Sequence, residues 1–399
     1  MKTAILDSHK QTIKPLNAIS KKGLKILADN YVINEQAEEP AGILLRSFNM
    51  HDMKFKANLL AIARAGAGVN NIPVERCTEE GIAVFNTPGA NANAVKELVL
   101  TTLMAASRQL FDGIAWTRRL VSYGENIPGL VEAGKKQFIG KEISGKTLGV
   151  IGLGAIGARV ANDAVELGMN VVGFDPFISI DMAWNLSRSV KRVLSIEELY
   201  ASADYITVHT PLTDQTKAMF NQTAFNLMKK DVYLLNFSRG ELVNDQDMGR
   251  ALDHGQVGKY ITDFPNEAVL KMNNVIPIPH LGASSKESEE NCAIMAARQL
   301  KDYIETGNVT NAINFPNTNL PYTGRKRLTV FHLNVPNMVG QITKLLSEYQ
   351  LNIADMVNRG KQDHAYTIID FETNSEQIMS EKIVKQLKQI EGIVKTRFI

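Results

Sequence analysis

The chain has 399 residues, 44% of them hydrophobic and 22% charged, a composition that excludes a mostly disordered protein and predicts roughly two to three domains. Lys+Arg 44 against Asp+Glu 42 leaves a net charge of +2, without the basic excess that neutralising nucleic-acid phosphates demands. Two cysteines, Cys77 and Cys292, exclude a disulfide-dense scaffold and a four-thiolate zinc site, and no metal site is expected.

The N-terminal apolar stretch, Ala4-Ile5-Leu6 before Asp7, is far short of a signal-peptide core. No segment reaches the ~20 apolar residues of a membrane span, so no membrane partner and a cytoplasmic location are expected. Gly42–Leu45 and Leu60–Ala63 read as strands, each running into a candidate anion loop. Arg46-Ser47 follows the first. Arg64-Ala65-Gly66-Ala67-Gly68 follows the second, where glycines bare backbone N–H groups and Arg64 adds positive charge. A turn-rich break at Asn86–Asn91 precedes a helical pattern in which Val95, Leu98, Val99, Thr102, Leu103 and Ala106 share a face.

Strands and helices then alternate. Thr147–Leu153 is an apolar strand running into glycines, Ala155–Leu167 is helical with Gly168 placed to end it, and Asn170–Phe174 is a strand closed by Asp175. Tyr205–His209, Val232–Asn236, Tyr260–Thr262 and Val275–Ile278 continue the series, with helical patterns at Glu197–Tyr200 and Asp245–Asp253. Short apolar strands separated by helices predict a parallel, doubly wound sheet. Asn311–Gly324, rich in Asn, Thr and Pro, reads as a linker. Beyond it come a strand at Arg327–Leu333, a helix at Val339–Tyr349 and strands at Leu351–Met356 and His364–Phe371. A helix at Glu376–Ile390 and a strand at Ile393–Phe398 complete a βαββαβ order.

Gly152-Leu153-Gly154-Ala155-Ile156-Gly157 follows a strand and opens a helix, the context that gives GxGxxG its meaning. Gly152 permits the turn, Gly154 lets backbone approach a pyrophosphate, and Gly157 lets helix and strand touch. Asp175 lies 175 − 152 = 23 residues on, close to the interval of ~20 for a ribose-binding acid. Its carboxylate favours NAD over a 2′-phosphorylated dinucleotide.

Ligands of an open parallel sheet bind beyond the carboxyl ends of its strands. There the sequence puts Asp175, His209-Thr210-Pro211, Asn236–Arg239, Asp263 and His280. Singly, Arg239 reads as a surface charge, His280 as a loop residue and Glu267 as a turn carboxylate. Together they suit oxidation of a 2-hydroxy acid. Arg239 can grip a substrate carboxylate with two parallel hydrogen bonds. His280 can take the hydroxyl proton as hydride leaves for a nicotinamide. Glu267 beside it would fix the imidazole tautomer and raise its pKa.

The segments RAGAGVNN (Arg64–Asn71), GLGAIG, VHTPLTDQT (Val208–Thr216), NFSRG (Asn236–Gly240) and IPHLGASS (Ile278–Ser285) resemble those of the D-isomer-specific 2-hydroxyacid dehydrogenases. The resemblance covers essentially the whole chain. It implies Arg239, Glu267 and His280 as catalytic residues, although the segment between Asp263 and Glu267 is one residue shorter than the family's. It implies a cofactor cleft built from Gly152, Gly154, Ala155, Ile156, Gly157, Asp175, Thr210, Phe237, Ser238, Arg239, Asp263, His280 and Gly282. Arg46, Ser47, Arg64, Ala65, Gly66 and Gly68 match the family's substrate loops.

The implied architecture is two doubly wound, Rossmann-like α/β domains and a C-terminal module resembling the ACT domain. The first domain, 1–92 with 283–310, takes substrate. The inserted 93–282 binds NAD, 311–324 links, and 325–399 regulates, with His332, Asn334 and Asn352 matching effector contacts for L-serine. The resemblance implies oxidation of D-3-phosphoglycerate to 3-phosphooxypyruvate, opening L-serine biosynthesis under L-serine feedback. It also implies a homo-tetramer or homo-dimer through the Rossmann and ACT domains. Alternatives are a dehydrogenase of 2-hydroxyglutarate or phosphoerythronate, or a non-catalytic NAD-sensing corepressor.

Overall fold

A computed structural model describes residues 10–372 and 380–399. Contacts divide the chain into two compact units, Met1–Asn91 with Glu289–Ile399, and Ala92–Ser288.

The first unit contains a five-stranded parallel sheet of β1 (Thr12–Leu16), β2 (Val32–Ile33), β3 (Gly42–Leu45), β4 (Ala61–Arg64) and β5 (Ala83–Phe85), in the order β2-β1-β3-β4-β5. β3 and β5 are buried along their whole length, which is why they read as unbroken apolar runs rather than alternating ones. The helix Lys286–Thr306 lays Ala293, Ala296, Ala297, Leu300 and Ile304 onto one face of this sheet.

The same unit carries the C-terminal module. Its strands β13 (Arg327–Leu333), β14 (Ile353–Lys361), β15 (His364–Phe371) and β16 (Ile393–Phe398) pair antiparallel in the order β14-β15-β13-β16. Helices Met338–Glu348 and Ser380–Leu387 cover one face, closing a core of Leu328, Val330, Ile342, Leu346, Ile369, Phe371, Ile383 and Leu387. The βαββαβ order is the expected one. β14 runs five residues further than Leu351–Met356, because its polar second half, Val357–Lys361, keeps pairing with β15. The expected start of the last helix at Glu376 lies outside the described residues.

Residues 311–324 hold no helix or strand, as their composition predicts, but they are not a free tether. Phe315 is fully buried and stacks on Phe331 with ring centroids 3.8 Å apart. Ala312 forms a β-bridge with Phe85, and Val309 with Thr318. One aromatic side chain docks a segment that its Asn, Thr and Pro content marks as solvated.

The second unit is built on seven parallel strands: β6 (Thr147–Ile151), β7 (Asn170–Phe174), β8 (Lys191–Arg192), β9 (Tyr205–Val208), β10 (Val232–Asn236), β11 (Val257–Thr262) and β12 (Val275–Pro277). Their order, β12-β11-β10-β9-β6-β7-β8, reverses direction of winding between β6 and β9. A crevice opens at such a reversal, outside the carboxyl ends of the two strands. Helix Ala92–Ser107 packs Val95, Val99, Leu103 and Ala106 against the sheet, as its spacing predicts. Helix Gly157–Glu166 ends before Gly168, whose φ of +81° suits the left-handed stop. Among the described residues no helix is long and apolar enough to cross a membrane.

Candidate active site

The reversal point carries the glycine-rich turn. Gly152 has φ +85°, and a Cβ there would lie 2.8 Å from the His209 carbonyl oxygen. A Cβ on Gly157 would sit 1.9 Å from the Gly152 oxygen, so the helix can begin at this closeness only as glycine. Gly154, by contrast, has nothing within 4 Å of its would-be Cβ, an open approach to backbone. Asp175, at the end of β7, accepts the Leu153 N–H at 2.8 Å through one oxygen and the Phe177 N–H at 2.8 Å through the other. Its carboxylate is thereby locked beside the glycine turn.

Across the reversal, β9 delivers His209 and Thr210. His209 Nε2 bonds Thr207 Oγ1 at 3.0 Å, while its Nδ1 and the Thr210 hydroxyl are buried with no partner. Burial pushes the His209 imidazole pKa down to about 3, so the ring is neutral. Orphaned polar atoms at the mouth of a phosphate-type turn are what a dinucleotide site looks like when its ligand would supply the missing bonds. The open Gly154, the fixed Asp175 and these two atoms fit NAD. Ala155 and Ile156 complete the turn into the helix.

β10 ends in Asn236, which is fully buried and shapes the turn that follows. Its Nδ2 donates to the Arg239 carbonyl at 2.8 Å and its Oδ1 accepts the Ser238 N–H at 3.1 Å. Ser238 Oγ donates to the Val208 carbonyl at 2.8 Å, tying this turn to β9, and Phe237 is buried beneath. Arg239 is left exposed in extended conformation, one guanidinium N–H resting on the Ser238 carbonyl at 2.6 Å. The sequence puts Asn236 beyond the strand end with Arg239 but assigns it no role of its own. A lone polar residue closing an apolar strand is the signal that marks it.

His280 has φ +53°, a conformation costly for a side chain with a Cβ. Asp263, itself buried at the end of β11, holds it there by accepting the Leu281 and Gly282 N–H groups at 2.7 and 2.8 Å. Burial pushes the Asp263 carboxyl above its usual value, against the two N–H groups and His280, which pull it down. A Cβ on Gly282 would fall 2.9 Å from the Asp263 carboxylate, so this tight anchor needs glycine. The Phe264 ring packs against the imidazole at 4.9 Å between centroids. A cleft of about 1090 Å³ opens here, lined by His280, Asp263, Phe264, Gly240, Glu241 and Asp245 among others.

Glu267 is not brought to His280. It begins a one-turn helix, Glu267–Leu270, and pairs with Lys271 at 2.6 Å with both side chains mostly in solvent. Asn266 caps that turn, accepting the Val269 N–H at 2.9 Å, and Glu267 as its first residue points to solvent. Glu241 and Asp245 line the same cleft as His280, and Asp245 already accepts from Asn266 Nδ2 at 2.8 Å.

In the first unit, Arg64 folds back over its own loop. Its Nε donates to the Arg46 carbonyl at 2.9 Å and an Nη to the Gly68 carbonyl at 2.5 Å. A Cβ on Gly66 would lie 2.6 Å from that guanidinium, so Gly66 makes room for the side chain, while its own N–H bonds the Arg64 carbonyl. Ala65 is buried and tied to the Leu45 carbonyl. The charge of Arg46 is shared with Glu289 at 2.6 Å, and Ser47 beside it is exposed. Arg64 thus shapes the loop rather than standing as a bare charge.

The expected effector residues are not gathered within one chain. His332 is a core histidine, bonded to Thr367 Oγ1 at 2.9 Å and the Leu333 carbonyl at 2.8 Å, its pKa lowered by burial. Asn334 is exposed at the 361–364 hairpin, donating to the Gln362 carbonyl at 3.3 Å. Asn352 bonds Glu372 at 3.3 Å, at the opposite end of the β14–β15 pair.

A doubly wound sheet with a glycine-rich turn at its reversal, an acid locking that turn and a strained histidine on the same edge define a dinucleotide-dependent oxidoreductase fold. Residues 100–282 match the family described as D-isomer specific 2-hydroxyacid dehydrogenase, NAD binding domain. D-3-phosphoglycerate dehydrogenase of Haemophilus influenzae is 30% identical over 353 residues, covering 86% of this chain and 81% of that one. The Methanocaldococcus jannaschii enzyme of the same name is 32% identical over 362 residues, covering 88% of this chain and 66% of its own length. The rat protein is 37% identical over 268 residues, and the match covers only 46% of it. Among solved structures, NAD+-bound 3-phosphoglycerate dehydrogenase of Entamoeba histolytica aligns with a TM-score of 0.60 and 25% identity over 76% of this chain and 99% of that one. The chain belongs to the D-isomer specific 2-hydroxyacid dehydrogenase family, and its cofactor is NAD.

Proposed function

We propose that the protein oxidises D-3-phosphoglycerate to 3-phosphooxypyruvate with NAD. The observation that carries this reading is His280, forced into a left-handed turn by Asp263 on the same sheet edge as the glycine turn and Asp175. Bound NAD supplies the hydride acceptor. The chain's own part is to hold the substrate carboxylate on Arg239 and to take the hydroxyl proton on His280, so that the carbon–oxygen single bond becomes a carbonyl. The relatives named D-3-phosphoglycerate dehydrogenase support the choice of substrate, with Arg46, Ser47 and the Arg64–Gly68 loop proposed for its phosphorylated end. Purified protein with 3-phosphoglycerate and NAD should generate NADH, and His280→Ala should lower kcat by about 10²–10⁴-fold, the worth of a positioned base. Wild-type activity with 2-hydroxyglutarate or phosphoerythronate but none with 3-phosphoglycerate would reassign the substrate.

Serine feedback belongs to the same reading. L-serine should inhibit, and Asn334→Ala should relieve that inhibition; unchanged inhibition would remove Asn334 as a contact. Because Asn334 and Asn352 sit at opposite ends of one sheet, a serine site using both needs two copies of the module side by side. Self-association through the second unit is supported by its exposed apolar side chains Leu110, Phe111, Ile114, Val121, Tyr123 and Ile139.

A further inference from the structure

A cleft of about 400 Å³ lies within the first unit, between the 311–317 turn and β14, lined by Asn86, Asn311, Asn317, Arg359 and Lys361 with prolines and backbone. No carboxylate lines it. Arg359 and Lys361 are two apart on β14 and so project from the same face. Lys361 spends its ammonium on neutral acceptors, the carbonyls of Ile313 at 2.7 Å and Ala312 at 3.1 Å, and burial lowers its pKa with no acid nearby to offset it. Arg359 is exposed, and no ion pair or hydrogen bond of its side chain is found among the described residues. Asn317 accepts the Asn311 N–H at 2.9 Å through its oxygen, which leaves its amide donors available. Asn86 donates to the Ala67 carbonyl at 2.6 Å, so one wall of the cleft grips the Arg64–Gly68 loop.

An unpaired guanidinium, an ammonium bonded to neutral carbonyls alone and amide donors around a small space produce a positive potential suited to a dianion. We propose that this cleft binds the phosphate group of a small metabolite, and that its occupancy braces the Arg64–Gly68 loop through Asn86. An unpaired guanidinium fork beside an ammonium, the fork and the Asn317 amide supplying the donors and the ammonium its charge, matches the charge of about −1.5 to −2 and the acceptor oxygens of a phosphate monoester. This site stands apart from the dehydrogenase reading, since its test needs no turnover.

The test is hydrogen exchange of the full chain with and without inorganic phosphate, ionic strength being held constant with chloride. Phosphate should slow exchange in residues 311–317 and 64–68 together. Arg359→Gln, which removes an exposed and unpaired side chain and so leaves folding intact, should raise the phosphate concentration for half-protection at least about tenfold, the loss of one charge-assisted contact. Protection unchanged in Arg359→Gln, or confined to 64–68 or to 152–157, would place the anion elsewhere and overturn the site. Protection of 311–317 without 64–68 would overturn the coupling through Asn86.

Discussion

His209 shows how one buried ring writes itself into the pH dependence of the fold. In the unfolded chain it takes a proton near 6.5, whereas in the folded protein burial delays protonation to about pH 3. Between those values the unfolded state binds more protons, so stability is complete above pH 6.5 and is lost as pH falls towards 3. His209→Gln keeps a polar group for Thr207 but cannot titrate. Urea unfolding at several pH values should give the variant a shallower acid limb, by up to about 1.4 kcal/mol per pH unit, the slope of one proton. Identical limbs in the two proteins would mean that the imidazole already exchanges its proton freely. The residue's place after an apolar strand was legible in the sequence. Its missing partner was not, because an orphaned nitrogen is defined by what the other strands leave around it.

The elements themselves were the most readable layer, for a physical reason. Strands rich in β-branched and aromatic residues between turn residues declare themselves, so β7, β10 and β15 stand at their expected bounds although only β10 is buried at every position, and helix Asp245–Asp253 is bracketed by its Asn244 cap and turn residues. Two-residue edge strands such as β8, Lys191–Arg192, carry no such pattern and stayed invisible. The side-chain direction of Glu267 was not legible at this scale either: its type and position suit an orienting acid, but it opens a turn capped by Asn266 and pairs with Lys271. The glycine turn allows two roles to be separated by substitution. Gly157→Ala forces a Cβ against the Gly152 oxygen and should lower thermal stability without cofactor, by about 1–3 kcal/mol of overpacking. Gly154→Ala meets nothing in the protein and should leave unfolding unchanged, yet weaken NAD by crowding the pyrophosphate. Thermal melts paired with NAD titrations distinguish them; equal melting losses for the two variants would contradict the geometry.

At the scale of the first unit, a buried ion pair inside the C-terminal module holds the side chain that ties the module to the helix end and segment before it. Arg327 is wholly buried and grips Asp370 through Nε and Nη2 at 2.6 and 2.7 Å. Its remaining N–H groups reach the carbonyls of Thr306 at 2.8 Å, Leu320 at 3.1 Å and Pro321 at 3.1 Å, so one side chain binds the end of the 286–306 helix, the 311–324 segment and β15. In sequence Arg327 is just the first residue of a strand; partners 43 and 21 positions away leave no trace in local pattern. Removing one member of such a pair leaves the other buried and uncompensated, a loss of about 3–5 kcal/mol. Arg327→Met should therefore destabilise by that order in urea unfolding, and the cost should fall largely on the docking of Phe315 against Phe331. Arg327→Met with Asp370→Leu removes both charges, and should recover much of the loss because no unpaired carboxylate remains. A double variant as unstable as the single one would show that the three carbonyl bonds, rather than the charge pair, hold the module in place.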